Sequence, residues 1–176
     1  MSSSRSNGRV FWTAAVLVIA LDVVTKLLAS RYLPPEHLPH HIVGNVVRFT
    51  LAYNPGAAFS MSVGDYSRYI FGAFAVVALF ILYRLFLSSE PGDSTRVLAL
   101  GLAWGGAAGN LIDRFHSRRG VVDFIDIGVG DVRFWTFNVA DSAVTIGALL
   151  LAWVLWREDR RALAIAAAEA AARDGK

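Results

Sequence analysis

The sequence predicts an all-α membrane bundle of four transmembrane helices, with two short β-hairpins in the loops on one side. Three observations carry that reading. Of the 176 residues, 55% are hydrophobic and 18% charged, with a mean hydropathy of +0.47. A soluble domain runs at about 45–50% apolar and about 25% charged. The charges are also segregated: residues 10–29, 69–83, 97–112 and 134–156 contain only Asp22, Lys26 and Asp141. A core helix of a soluble protein keeps a polar face, and these segments have almost none. Length agrees, since about 20 residues at about 1.5 Å rise cross a hydrocarbon core of about 30 Å.

Taken in order, residues 1–9 (MSSSRSNGR) are polar and Ser-rich and are expected to be a disordered tail. Span 1 covers about 10–29. It is too long for a cleaved signal peptide, carries Asp22 and Lys26, and lacks a small-x-small site before Pro34, so it is read as retained. Residues 31–66 form the longest connection, interrupted by Pro34, Pro35 and Pro39. Within it, 42–47 reads as a hairpin turning at Gly44-Asn45, and Val47, Phe49, Leu51 and Tyr53 then alternate at strand spacing. Span 2 runs 68–87, with Arg84 placed to snorkel, and 88–96 is a turn-rich loop. Span 3 covers 96–112. In 113–133, segments 121–127 and 132–134 flank Gly128-Val129-Gly130-Asp131, which predicts a second hairpin. Span 4 runs 135–156, and the Ala-rich tail 158–176 is expected to extend it as a helix.

Four spans put both termini on one side. Segments 1–9, 84–96 and 157–176 carry nine Lys or Arg in 42 residues, against seven in the 60 residues of 30–68 and 113–133. The positive-inside rule therefore favours cytoplasmic termini. The absence of cysteine excludes disulfides, zinc-thiolate sites and thiol nucleophiles within this chain. Net charge is +3, but the basic residues are scattered through loops and tails, so no nucleic-acid partner is expected. His37, His40 and His41 sit in the Pro-rich loop as a solvated cluster, so neither a metal nor a cofactor is expected. Gly101, Gly105 and Gly109 recur every four residues, the spacing for close helix packing. Trp12 and Trp156 suit an aromatic belt near the termini side.

The polar residues of the spans converge. Asp22 lies seven residues before the end of span 1 and Asp141 about as far into span 4, each about 10 Å below the loop-side surface. Asn110, Asp113 and Arg114 close span 3 on that side, Asn138 is one turn above Asp141, and Asn54 and Asp123 stand in the two loops. A charge inside a span is costly and marks function or a nearby partner. Asp22 and Lys26, at i and i+4, suit a salt bridge. Asp123 has apolar neighbours on both sides, whereas Asp113, Asp126 and Asp131 suit solvated or salt-bridged roles. Two apposed carboxylates in a poorly solvated site share a proton, and such a pair can activate water and protonate a leaving amine. That is aspartic-type peptide hydrolysis. A proton or cation relay in a transporter uses the same groups, although no internal repeat is visible, and a purely structural scaffold uses none of them.

Five ordered motifs then resemble the lipoprotein signal peptidase (signal peptidase II) family. They are Asp22-Val-Val-Thr-Lys26, Asn54-Pro-Gly-Ala-Ala-Phe-Ser60, Gly109-Asn-Leu-Ile-Asp-Arg114, Val121-Val-Asp-Phe-Ile125 and Phe137-Asn-Val-Ala-Asp-Ser142. The resemblance covers about 10–157, read as one peptidase domain between a cytoplasmic tail, 1–9, and a second, 158–176. It implies a bacterial inner-membrane aspartic endopeptidase, with cytoplasmic termini and an extramembrane β-rich cradle on the non-cytoplasmic side. The implied substrate is a diacylglyceryl-modified prolipoprotein, cut just before its lipidated cysteine. Carried over by motif, Asp123 and Asp141 are the catalytic pair. Asp22, Lys26, Asn54, Gly56, Arg114, Asn110 and Asn138 shape the site or bind substrate. The implied partners are the lipid-modified substrate, membrane lipid and globomycin-type inhibitors, and residues 53–60 are expected to act as a lid.

Overall fold

The computed structural model describes residues 2–56 and 64–174. In chain order these form helix α1 (Ser2–Tyr32), strands β1 (Pro39–Val43) and β2 (Val47–Asn54), and a short 3-10 turn (Gly64–Tyr66). Helices α2 (Ser67–Leu87) and α3 (Ser94–His116), strands β3 (Val121–Val129) and β4 (Val132–Arg133), and helix α4 (Val139–Asp174) follow. Three helical stretches, Ser6–Tyr32, Ser67–Leu87 and Val139–Glu169, are long and apolar enough to cross a membrane.

Helix α3 differs in composition because it is the spine of the bundle. It buries nine residues, all of them Gly, Ala, Val or Leu, and small side chains let neighbouring backbones approach closely. A Cβ on Gly101 would stand 2.8 Å from the Phe11 carbonyl oxygen, and one on Gly105 equally close to that of Ala15. From the other side, a Cβ on Gly147 of α4 would lie 2.7 Å from the Ala99 oxygen. The expected packing role of the Gly-xxx-Gly series is what these contacts describe. At the termini end Phe11, Val97 and Leu100 form a fully buried cluster, with Phe86 of α2 stacked on Phe11 at 4.2 Å. Elsewhere α2 buries only Ser67, and leaves Phe74, Phe80 and Leu87 open on its outer face.

Two boundaries correct the sequence reading. Residues 2–9, expected to be disordered, continue α1. Asn7 is buried there, donating to the Glu90 carbonyl at 2.8 Å and accepting from the Gly92 N–H at 3.3 Å, so the α2–α3 turn fastens the tail. Helix α4 starts at Val139 rather than 135, because Phe137 is held extended beside β3. Its N–H donates to the Ile125 oxygen at 3.0 Å, and its own oxygen accepts from the Phe124 and Ile125 N–H groups.

Both expected hairpins form, as one antiparallel four-stranded sheet in the order β1-β2-β3-β4. The strict alternation expected along 47–53 does not hold. A register shift between Phe49 and Ala52 leaves Thr50 and Leu51 both buried, as a bulge does when it adds a residue to one strand. Opposite it, Asp126 of β3 is clamped by Arg48 at 2.6 Å and Arg133 at 2.7 Å, which ties β2, β3 and β4 into one unit. The sheet is thereby fixed as a platform above the ends of α1, α3 and α4.

Candidate active site

Asp123 enters from this platform. It lies on the run Val121–Phe124, buried throughout, and is itself only 4% exposed. Its Oδ1 accepts from Asn138 Nδ2 at 2.7 Å, and Asn54 adds a further hydrogen bond. Burial, and next the negative charge of Asp141, push its carboxyl up to about 7. Hydrogen bonds from Asn138 and Asn54 and the Lys26 charge oppose that rise without cancelling it.

Asp141 comes from the first turn of α4. Asn138 caps this helix: its Oδ1 accepts from the Asp141 N–H at 2.9 Å, while Asp141 Oδ2 accepts from the Asn138 N–H at 3.2 Å. This is the reciprocal arrangement of a capping box, with Asp in the place of the usual Glu. The other Asp141 oxygen accepts from Asn110 Nδ2 at 2.7 Å. Asn138 is fully buried and also donates to Asn110 Oδ1 at 3.1 Å. One amide side chain therefore both begins α4 and touches Asp123.

Beneath them Lys26 is a hub. Its ammonium reaches Asp22 at 2.6 Å, Asp113 at 2.9 Å and Asn110 Oδ1 at 2.9 Å. Two of these acceptors each hold a segment next to Asp141 or Asp123. Asp22 Oδ1 accepts from the Ala140 N–H at 2.9 Å, one residue before Asp141. Asp113 Oδ2 accepts from the Val122 N–H at 3.1 Å, one residue before Asp123. Because Asn110 accepts from Lys26 through its oxygen, its NH₂ is left to face Asp141. Asp22 is fully buried and Lys26 only 3% exposed, a burial that charges tolerate only when paired and hydrogen-bonded. Gly109 makes room for this arrangement, since a Cβ there would come within 2.6 Å of Asp22 Oδ2.

The remaining expected residues lie at the rim. Arg114 Nη1 donates to the Asn110 carbonyl at 3.0 Å, with Asp141, Asp123 and Asp113 all within electrostatic reach. Asn54 Oδ1 accepts from the Gly56 N–H at 3.0 Å, and Gly56 adopts a φ of 122°, in the region that favours glycine. Of the expected lid, residues 57–60 lie outside the described residues. Asp113 and Asp126 are salt-bridged, as expected of them. Sequence reasoning missed Arg119, which lies over the Tyr53 ring at 3.7 Å and pairs with Glu36. The pairing joins two separate loops beside Asn54, and no local pattern in the sequence signals it.

The described site thus presents two carboxylates within electrostatic reach of one another, one of them, Asp123, pushed up to about 7, among amide and guanidinium donors. The chain resembles known proteins over most of its length. The family model for signal peptidase (SPase) II matches residues 14–157. The lipoprotein signal peptidase of Mycobacterium tuberculosis is 41% identical over 150 residues, covering 81% of this chain and 69% of that one. That of Geobacillus kaustophilus is 42% identical over 142 residues, covering 80% and 88%. A bacterial membrane enzyme solved by the in meso method at 2.3 Å resolution superposes with a TM-score of 0.75 at 28% identity, over 84% of this chain and 87% of that one. A second, at 1.9 Å, gives 0.72 at 30% identity, over 81% and 90%. The chain belongs to the signal peptidase II family, bacterial membrane proteases that remove signal peptides from prolipoproteins.

Proposed function

We propose that this protein is an intramembrane aspartic endopeptidase acting on diacylglyceryl-modified prolipoproteins, cutting the peptide bond just before the lipidated cysteine. The observation that carries the reading is the unequal environment of Asp123 and Asp141. Burial and the neighbouring negative charge of Asp141 favour a proton on Asp123 near neutral pH. Asp141 then takes a proton from water as the water oxygen attacks the scissile carbonyl, and the Asp123 proton hydrogen-bonds the developing oxyanion. Collapse of the tetrahedral intermediate breaks the C–N bond. A proton passes to the departing nitrogen, releasing a carboxylate on the signal peptide and a free amino group on the lipidated cysteine. Asn110, Asn138 and Lys26 hold the pair in place, while Asn54, Gly56 and Arg114 face the substrate backbone.

In this reading α3 is the fourth span, since its 23 residues are long enough and its apolar surface is covered by α1, α2 and α4. Residues 10–157 form the peptidase domain, and both termini lie in the cytoplasm of a bacterial inner membrane. The dyad sits near the outer face, where water and a lipid-anchored peptide can both arrive.

The test is cleavage of a diacylglyceryl-modified prolipoprotein by purified protein. Wild type should release the signal peptide and be blocked by a globomycin-type inhibitor. Asp141→Asn should lose activity by about 10³-fold or more while keeping its thermal midpoint. Near-normal cleavage by that variant would remove Asp141 from the chemistry.

A further inference from the structure

A cavity of about 680 Å³ lies at the opposite end of the bundle, between the α2–α3 turn and the outgoing stretch of α4. The charges on its wall are unevenly paired. Arg96 is committed, with Nε 3.1 Å from Asp93 and the guanidinium also on Glu158. Arg157 and Arg161, one helical turn apart on α4, share the cavity face. Among the described residues no carboxylate pairs with either. Arg157 instead lies over the Trp153 ring at 4.6 Å. Glu90 completes the wall; its carbonyl is used by Asn7, and among the described residues no cation pairs with its carboxylate.

Depth narrows the choice of ligand. Arg157 is 18 residues beyond Val139 on a continuous helix, which is about 27 Å of rise. That is close to the thickness of a hydrocarbon core of about 30 Å. Trp153 and Trp156 stand beside it, both half exposed, as aromatic residues do at a membrane interface. The cavity therefore opens at the level of lipid headgroups on the termini side.

We propose that this cavity binds the phosphodiester of a membrane phospholipid. Arg157 and Arg161 supply forked N–H donors to the phosphate oxygens, and the Glu90 carboxylate accepts from the hydroxyl or ammonium that ends the headgroup. Basic pockets between helices at the membrane surface hold lipid headgroups in this way. The lipid braces α4 against the α2–α3 turn, at the far end of the helix that begins at the dyad.

The experiment uses the full chain, purified in detergent and stripped of lipid, then offered phosphatidylglycerol, phosphatidylethanolamine or inorganic phosphate. Bound lipid is counted by native mass spectrometry, and the thermal midpoint is followed in parallel. One phospholipid per chain should be retained and should raise the midpoint, with either headgroup supporting the assignment. The Arg157→Gln/Arg161→Gln variant should bind it about tenfold or more weakly. Arg160→Gln, whose guanidinium faces Trp156 outside the cavity, should bind it as wild type does. Should the double variant not fold, Arg161→Gln alone carries the comparison. Equal retention by wild type and the cavity variant, equal loss in Arg160→Gln, or an equal effect of inorganic phosphate would each overturn the proposal.

Discussion

Asp123 and Asp126 stand three residues apart on β3, and each is only 4% exposed. Their acidities nevertheless move in opposite directions. For both, burial is the largest influence and favours the neutral acid. Around Asp126, hydrogen bonds and charge from Arg133 and Arg48 outweigh burial and hold the carboxyl below its ordinary value. Around Asp123 the neighbours are amides and a second carboxylate, and the carboxyl rises to about 7. Burial alone does not set the direction in which a carboxyl moves; the charge of the partners decides. One strand thus carries a structural ion pair and a titrating group side by side.

The largest effect should separate the two outright. Asp123→Asn is expected to cost about 10³-fold or more in cleavage, while Asp126→Asn should leave the turnover of folded enzyme within about threefold. Stability should behave the other way. Asp126→Asn leaves two guanidiniums uncompensated and should cost about 2–4 kcal/mol, near the lower end of the range for a broken buried pair because both arginines keep some contact with water. Cleavage assays and thermal unfolding of both variants read this directly. Asp126→Asn losing turnover as severely as Asp123→Asn would dissolve the distinction.

Next in size are the pH dependences. The Asp123 acid is raised, so its ionisation burdens the folded state increasingly as pH climbs from about 4 through 7. Asp123→Asn should therefore gain stability relative to wild type across that window and hold the gain above it. The Asp126 acid is lowered, so its contribution is present above the ordinary carboxylate range and is lost as pH falls through its folded value. The Asp126→Asn deficit should accordingly shrink in acid. Wild-type cleavage should decline above about pH 7 as the Asp123 proton leaves.

Asn138→Ala sharpens the comparison from the other side. Its amide favours the ionised form of Asp123, so removing it should move the alkaline limb of the pH–rate profile upward while lowering the rate about 10²-fold. An unmoved limb would mean that the amide does not tune the acid. The smallest effect should come from Thr50→Val. It removes one hydrogen bond to Asp126 Oδ2, at 3.2 Å, and should cost about 0.5–1.5 kcal/mol in thermal unfolding with no change in the pH–rate profile.

Much of this was legible in the sequence, because hydrocarbon enforces plain rules. Asp22 and Asp141 stand out as charges in otherwise apolar runs, and Asp123 by its apolar neighbours. The two hairpins follow from their turn residues. Other features depend on distant partners. Arg48 finds Asp126 across 78 positions of the chain, and nothing near either residue announces the other. The start of α4 follows from Phe137 bonding to β3, a contact made only once the sheet exists. The ordered residues 2–9 depend on Asn7 meeting a turn more than 80 residues away. Which carboxylate favours a proton rests on where Asn138 and Asp141 lie in space, and spacing along a chain does not encode that.

Helix α3 has few bulky aliphatic side chains and gives its surface to close contact with α1 and α4. Alone in lipid, such a segment would exchange little water-exposed oil for its burial, and Asn110, Asp113 and Arg114 would weigh against entry. Its place in the bundle is therefore a property of the assembled helices and not of the segment itself. Asn110 at its end accordingly meets Asn138 and Asp141 only where α3 and α4 lie against one another.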